Sequence, residues 1–172
     1  ATWPHSIVIL TGGNSSRMGR PKHALMRPDG ISLADAAVDC ASKAGRQVII
    51  AGPEEIHPDL KHVVDDGGGP LSGIVATLEQ GIDERYIFMP CDMPDLTPRL
   101  LIQLGQALAD HDAVIYRNPP CERKAMLPLA VHARTLTAAQ ATLAGPKRSI
   151  YAFLGNIGSI DLGITDDERS QL

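Results

Sequence analysis

Short runs of apolar residues recur along this chain without alternation: SIVIL at 6–10, QVIIAG at 47–52, YIFMP at 86–90, DAVIY at 112–116 and LPLAV at 127–131. A strand with one face in water alternates apolar and polar residues, so runs that are apolar throughout belong to a sheet covered on both faces. HVV, before Asp65, is a further strand signal. Between the runs lie helix signals. Ser32 can cap a helix over Leu33–Ala44, with Asp35 in the acidic place of a capping box and Gly45 as the stop. Leu71 to Gln80 puts Leu71, Ile74, Val75 and Leu78 on one helical face. Thr97-Pro98 supplies an N-cap and first-turn proline for a helix bearing Leu100, Leu101, Leu104 and Leu108, and Ala133–Ala144 is another helix. The segment after Gly155 is polar. Strands alternating with helices predict a three-layer α/β/α sandwich around a mostly parallel sheet.

The 172 residues amount to one domain, 1–172, with no internal repeat or low-complexity linker. Apolar residues make up 44% of the chain, enough for a core that both faces of such a sheet would share. The net charge of −4 argues against a nucleic-acid binder, whose footprint is a basic face. Aromatics at 3% remove the stacking platform that single-strand binders use. Cys40, Cys91 and Cys121 lie far apart with no C-x-x-C pair, which points to a reducing compartment rather than a disulfide framework. No apolar run approaches the roughly 20 residues that span a bilayer, and ATWPHSIVIL lacks a charged leader. The expected setting is cytoplasmic, without a membrane partner.

Local basic charge in a mildly acidic chain is therefore aimed at a small anion. The stretch ILTGGNSSRMGRPKHAL follows the first strand with Gly12, Gly13, Asn14, Ser15 and Ser16, then Arg17, Arg20 and Lys22. Glycines let backbone N–H groups approach phosphate oxygens, serines add hydroxyl donors, and Arg17 and Lys22 neutralise charge. The spacing is neither that of a Walker A loop nor that of a dinucleotide fingerprint. FMPCDMPDL places Asp92 just past an apolar strand. A carboxylate there suits Mg²⁺, a hard ion that takes one or two carboxylates together with substrate phosphates; an aspartate bonding its own turn is the plainer reading. VVDDGGGPLSG forms a second glycine-rich turn between a strand and a helix.

Taken together, these three stretches resemble the nucleotidyltransferase family typified by molybdenum cofactor guanylyltransferase. LTGGNSSRMGRPK is similar to its L-[AT]-G-G-x-S-x-R-M-G-x-x-K signature, GPLSGI to its G-P-L-A-G turn and PCDMP to its P-C-D-x-P metal loop, over about Ile7 to Leu101. The resemblance implies an incomplete Rossmann-like sheet of the nucleotide-diphospho-sugar transferase type. It also implies Mg²⁺ dependence and transfer of GMP from GTP onto the terminal phosphate of molybdopterin. In that reading Leu10, Gly12, Gly13 and Ser15 line the nucleotide, Arg17 and Lys22 hold its phosphates, and Asp92 binds Mg²⁺ and the nucleotide. Asp66, or Asp65 one place earlier, meets the base or ribose. Gly12, where relatives that use CTP carry Ala, leans toward GTP because a missing Cβ leaves room for a purine edge.

The acceptor is less well marked. Family members commonly end in an N-x-N-T-P-E-D-like segment, whereas this chain has IDLGITDDERSQL. Arg117, Arg123 and Lys124, in RNPPCERKAMLPLAV, stand where the family contacts its acceptor and suit an anionic, phosphate-bearing pterin; a solvated loop would carry the same charges. No Ser-His-Asp or Cys-His arrangement is visible, and a phosphate nucleophile needs none: its second pKa of about 6 leaves it mostly a dianion at neutral pH. A cytidylyl- or sugar-phosphate nucleotidyltransferase, or a GTP-binding module without catalysis, are the competing expectations.

Overall fold

In the computed structural model the chain folds around one seven-stranded sheet. The structure describes residues 3–11, 14–15, 20–21, 26–53, 55–65, 68–93, 95–117 and 126–163, with 14–15 and 20–21 described as backbone alone. The first half of the sheet comprises β1 (Ser6–Leu10), β4 (Val48–Gly52), β5 (Lys61–Val64) and β6 (Arg85–Pro90). The second half comprises β7 (Ala113–Tyr116), β8 (Leu129–His132) and β9 (Ser159–Leu162). Their spatial order is β5-β4-β1-β6-β8-β7-β9. β5, β4, β1 and β6 run parallel; β8 is antiparallel to both neighbours, and β7 and β9 are again parallel. One reversed strand thus sits in an otherwise parallel sheet, which is the mostly parallel arrangement the continuous apolar runs predict.

Helices cover both faces. α1 (Leu33–Ser42) and α3 (Pro98–Leu108) bury Ala37, Cys40, Leu100 and Leu104 against Ile7, Ile9 and Ile87. On the other face α2 (Pro70–Glu79), α4 (Leu136–Ala144) and α5 (Ile150–Gly155) pack Ile74, Leu78, Ala139 and Phe153 against Val8, Ile49 and Phe88. Ile7 and Ile9 go to one cluster and Val8 to the other, as successive side chains of a strand must. Every β1 residue is buried, which explains why SIVIL carries no alternation.

The helix starts fall where the caps predict. The Ser32 hydroxyl accepts a hydrogen bond from the Asp35 N–H at 3.1 Å, and α3 begins at Thr97-Pro98. α1 ends at Ser42, two residues before the expected Ala44, because the N–H groups of both Ala44 and Gly45 turn back onto the Ala41 carbonyl. The expected helix from Ala133 opens as a single 3-10 turn, Ala133–Thr135, before α4. One covering helix and one strand of the main sheet lie beyond the sequence reading. In α5 the Ser149 hydroxyl accepts from the Ala152 N–H, and Ile150, Phe153 and Leu154 are buried. β9, half-exposed along its length, joins the sheet by pairing with β7.

Candidate active site

β1, β4, β5, β6, β7 and β9 all end at the same edge of the sheet, and that carboxyl edge is where ligands sit in open α/β folds. Chain order reverses there between β1 and β6. From β1 the chain moves through α1 to β4 and on to β5 at the margin, then returns by way of α2 on the opposite face to lie at β1's other side. The register pairs Leu10 directly with Pro90, the last residues of the two strands. The loop that begins at Thr11 and the turn that holds Asp92 therefore leave adjacent strands, about 5 Å apart across the sheet. Two motifs some eighty residues apart in sequence thus set out from neighbouring strand ends.

Of the expected nucleotide residues, Leu10, Ser15 and Asp92 lie among the described residues, as does the alternative Asp65. Gly12, Gly13, Arg17, Lys22 and Asp66 lie outside them. Beyond Thr11 the backbone forms a small antiparallel pair, β2 (Asn14–Ser15) with β3 (Arg20–Pro21), with Ser15 opposite Arg20. An antiparallel strand pair thus stands between β1 and α1, which begins at Leu33 as its Ser32 cap predicts. Leu10 is 9% exposed and packs beneath α2, so what it can offer a nucleotide is main chain. Thr11, which the motif reading did not single out, is buried; its N–H and hydroxyl both donate to the Ala51 carbonyl, at 2.9 and 3.3 Å. That double tie fixes the chain as it leaves β1.

Asp92 is exposed, on a turn beyond Pro90. Among the described residues no group of three or more His, Cys, Asp and Glu side chains could hold a metal ion. The donor set fits Mg²⁺ all the same, since this ion takes one or two carboxylates and completes its octahedron with phosphate oxygens and water. Behind Asp92 an apolar niche is lined by Leu33, Cys40, Met89, Cys91, Met93 and Leu96. Cys40 donates its S–H to the Leu96 carbonyl at 3.3 Å, and burial, followed by the Asp39 carboxylate, pushes its thiol up to about 11. A thiol kept protonated is no nucleophile, and the niche offers little to a charged substrate.

Asp65 and Asp92 differ sharply in setting. Asp65 is 5% exposed and faces the core side with Val63, whereas Val64 between them is 72% exposed. Its Oδ1 accepts the Ser72 hydroxyl at 2.6 Å. A Cβ added to Gly73, one residue on in α2, would stand 2.8 Å from Leu10 Cδ2 and 3.3 Å from Asp65 Oδ2. The first turn of α2 thus seats directly on the ends of β1 and β5, and glycine is what permits that approach. The signal that could have announced a buried Asp65 was the strand's alternation continued past Val64. Ser72, in the place of the family's alanine, was the other clue.

The expected acceptor residues divide. Arg123 and Lys124 lie outside the described residues. Arg117 is exposed, its N–H donates to the Leu162 carbonyl at 2.8 Å, and its guanidinium lies 3.9 Å from the Asp161 carboxylate. It follows β7, two strand spacings from β6, so the strand ends that carry Asp92 and Arg117 are about 10 Å apart.

Comparison with known proteins agrees with this geometry. The model of the MobA-like NTP transferase domain family matches residues 7–158. A Bacillus cereus protein named as a probable molybdenum cofactor guanylyltransferase is 31% identical over 159 residues, covering 86% of this chain and 78% of the relative. Among solved structures, molybdopterin-guanine dinucleotide biosynthesis protein A from Archaeoglobus fulgidus superposes with a TM-score of 0.78 at 19% identity, covering 96% of this chain and 86% of the other. A 4-diphosphocytidyl-2C-methyl-D-erythritol synthase from Anaerococcus prevotii does so with a TM-score of 0.72 at 12% identity, covering 98% and 88%. At those identities the structural likeness speaks for the fold.

Proposed function

The chain belongs to the MobA-like NTP transferase domain family, and from that premise we propose that it transfers GMP from GTP to the terminal phosphate of molybdopterin, releasing pyrophosphate. The observation that supports the proposal is the pairing of Leu10 with Pro90, so that the glycine-rich loop and the Asp92 turn set out from adjacent strands. A phosphate-binding backbone and an exposed carboxylate on adjacent strand ends suit a triphosphate with its counter-ion. A docking or scaffold module has no use for that combination.

In the proposed reaction an oxygen of the acceptor phosphate attacks the α-phosphorus of GTP. The new P–O bond forms as the α–β bridging bond breaks, and pyrophosphate leaves with the electron pair. No general base is required, because the nucleophile is already a dianion at neutral pH. Positioning and charge compensation remain as the protein's work. Arg17 and Lys22 neutralise the β- and γ-phosphates as charge builds on the leaving group, and Gly12 and Gly13 let the backbone approach them. Asp66 holds the base or ribose, and Arg117, with Arg123 and Lys124, receives the acceptor phosphate. Asp92 would hold Mg²⁺, which supplies Lewis-acid neutralisation of phosphate charge when bound. The preference for guanine rests on Gly12, and the cytidylyl-type structural relative makes CTP the natural competitor. Cys40 is a free thiol, in keeping with a reducing, cytoplasmic setting. Among the described residues no helix is long and apolar enough to cross a membrane.

Labelled GTP or CTP incubated with purified protein, Mg²⁺ and molybdopterin tests the reading. A guanine dinucleotide product with stoichiometric pyrophosphate is expected. Faster transfer from CTP, or none from either nucleotide, overturns it.

A further inference from the structure

Asp65 is a carboxylate almost wholly out of water, a costly placement unless the charge is met by hydrogen bonds. It is met at the first turn of α2. Ser72, itself 8% exposed, is the third residue of the helix and donates its hydroxyl to Asp65 Oδ1 at 2.6 Å. The positive end of a ten-residue helix adds to the stabilisation. The Asp65 N–H in turn donates to the Gly52 carbonyl at 3.1 Å, so the residue is fixed through backbone and side chain alike. At the far side of the turn Gly69 holds φ at 101°, a region glycine enters without strain, and Pro70 opens the helix. The described residues on either side of Asp66 are therefore held, and on the β5 side the bond between Asp65 and Ser72 contributes to the hold. The turn this chain resembles reads G-P-L-A-G, with no hydroxyl at that place.

We propose that Asp65 is a positioning residue: by accepting the Ser72 hydroxyl it clamps the turn between β5 and α2, and so fixes where Asp66 meets the nucleotide. This rests on the nucleotidyl-transfer reading above for its ligand, while the clamp itself is a property of the fold. Asp65 faces α2 and the core.

The test uses the full-length chain with Ser72→Ala, Asp65→Asn and Asp65→Ala, compared with Asp66→Ala. Amide hydrogen exchange in a peptide spanning 65–74 is measured without nucleotide, and KM for GTP and kcat are measured in the transfer reaction. Ser72→Ala and Asp65→Ala are expected to speed exchange in that peptide about tenfold, the scale of one lost hydrogen bond to a charged group. Peptides from α3 should not change. KM for GTP should rise about five- to tenfold in these variants, with kcat within about twofold of the parent. Asp65→Asn, whose amide oxygen still accepts the hydroxyl, should restore most of both.

Unchanged exchange in Ser72→Ala overturns the clamp. Faster exchange with unchanged KM reduces it to a purely structural bond and overturns the positioning role. Asp65→Asn losing as much affinity as Asp65→Ala would mean that the charge itself meets the ligand. Should the parent protein bind no GTP, the transferase reading falls, and the exchange result alone upholds or overturns the clamp. If Asp65→Ala does not fold, Ser72→Ala decides.

Discussion

Gly105, in the middle of α3, is where an added methyl group has least room. An alanine Cβ there would stand 2.3 Å from His5 Cε1, 2.4 Å from Nδ1 and 3.0 Å from Nε2. Carbon atoms in contact sit about 3.5–4.0 Å apart, so the His5 ring would have to move by more than ~1 Å. It has nowhere to go: His5 is completely buried, and its Nε2 is hydrogen-bonded to the Ala44 carbonyl at 2.7 Å. Moving the ring breaks that bond. Overpacking costs about 1–3 kcal/mol, and a buried polar group left unmatched costs about 1–3 kcal/mol. The helix preference of alanine over glycine returns about 0.5–1 kcal/mol. A net loss of about 2–4 kcal/mol is expected for Gly105→Ala, which for a chain of this size lowers Tm by roughly 5–15 °C.

Urea denaturation followed by far-UV circular dichroism measures the change, with the m-value confirming that the transition stays two-state. Gly155→Ala is the control, because nothing lies within 4 Å of the Cβ it would add; its stability should stay within about 0.5 kcal/mol of the parent. Adding His5→Ala to Gly105→Ala should cost less than the two single changes summed. Nucleotide affinity should be unaffected, since His5 precedes β1 and the candidate site lies past its other end, about 16 Å along the strand. A Gly105→Ala protein as stable as the Gly155→Ala control would refute the packing argument outright.

Asp92→Asn and Lys22→Ala should each lower turnover at least ~100-fold in the transfer assay at saturating Mg²⁺, the scale of one lost preorganised electrostatic contact; near-normal turnover in Asp92→Asn would remove it from the metal role. Burial, the leading cause, holds the His5 imidazole below its ordinary value of 6.5, so the folded chain keeps it neutral where the unfolded chain has taken up a proton. Its contribution is fully present above about pH 6.5 and is lost as pH falls below that value, so Tm should drop between pH 7.5 and 5 and drop less in His5→Ala. Burial pushes the Asp83 carboxyl up, but hydrogen bonds from Arg46, Ser6 and the Glu84 N–H outweigh it and leave it lowered. Asp83→Ala should therefore cost about 1–3 kcal/mol in chemical denaturation at pH 7, because it leaves the buried Ser6 hydroxyl unmatched while Arg46, nearly half exposed, is rehydrated. The cost should shrink as pH falls below the ordinary carboxylate value of 3.8.

Apolar runs of four to six residues announced most of the strands, because both faces of this sheet are covered and burial leaves no room for polar positions. Strand direction was a different matter. LPLAV reads the same whether it runs with or against its neighbours, and only pairing with β6 and β7 shows β8 to be reversed. β9 escaped notice because SIDL is a half-exposed edge whose stability comes from β7, 40 or more residues away in sequence. α5, at six residues, is shorter than two turns and is defined by its cap and by the core it meets. In the candidate site the sequence motifs pointed to two loops, and the strands they follow prove to be paired, Leu10 beside Pro90. The motifs could not carry the burial of Asp65, since which way a strand's pleat turns a side chain is not written in its identity.

The reversal of β8 has a bearing on how such a protein can change its chemistry. β7 and β8 form a hairpin whose arms, Ile115 opposite Leu129, open at the candidate site's own edge, so the link between them starts and finishes side by side. Lengthening or rewriting that link leaves every rung of the sheet in place, and each doubling of its length costs only about 0.6 kcal/mol in closure entropy. The half of the sheet built from β5, β4, β1 and β6 can thus stay constant while the hairpin is exchanged. New contacts at that edge can be introduced by grafting one segment rather than by redesigning the fold.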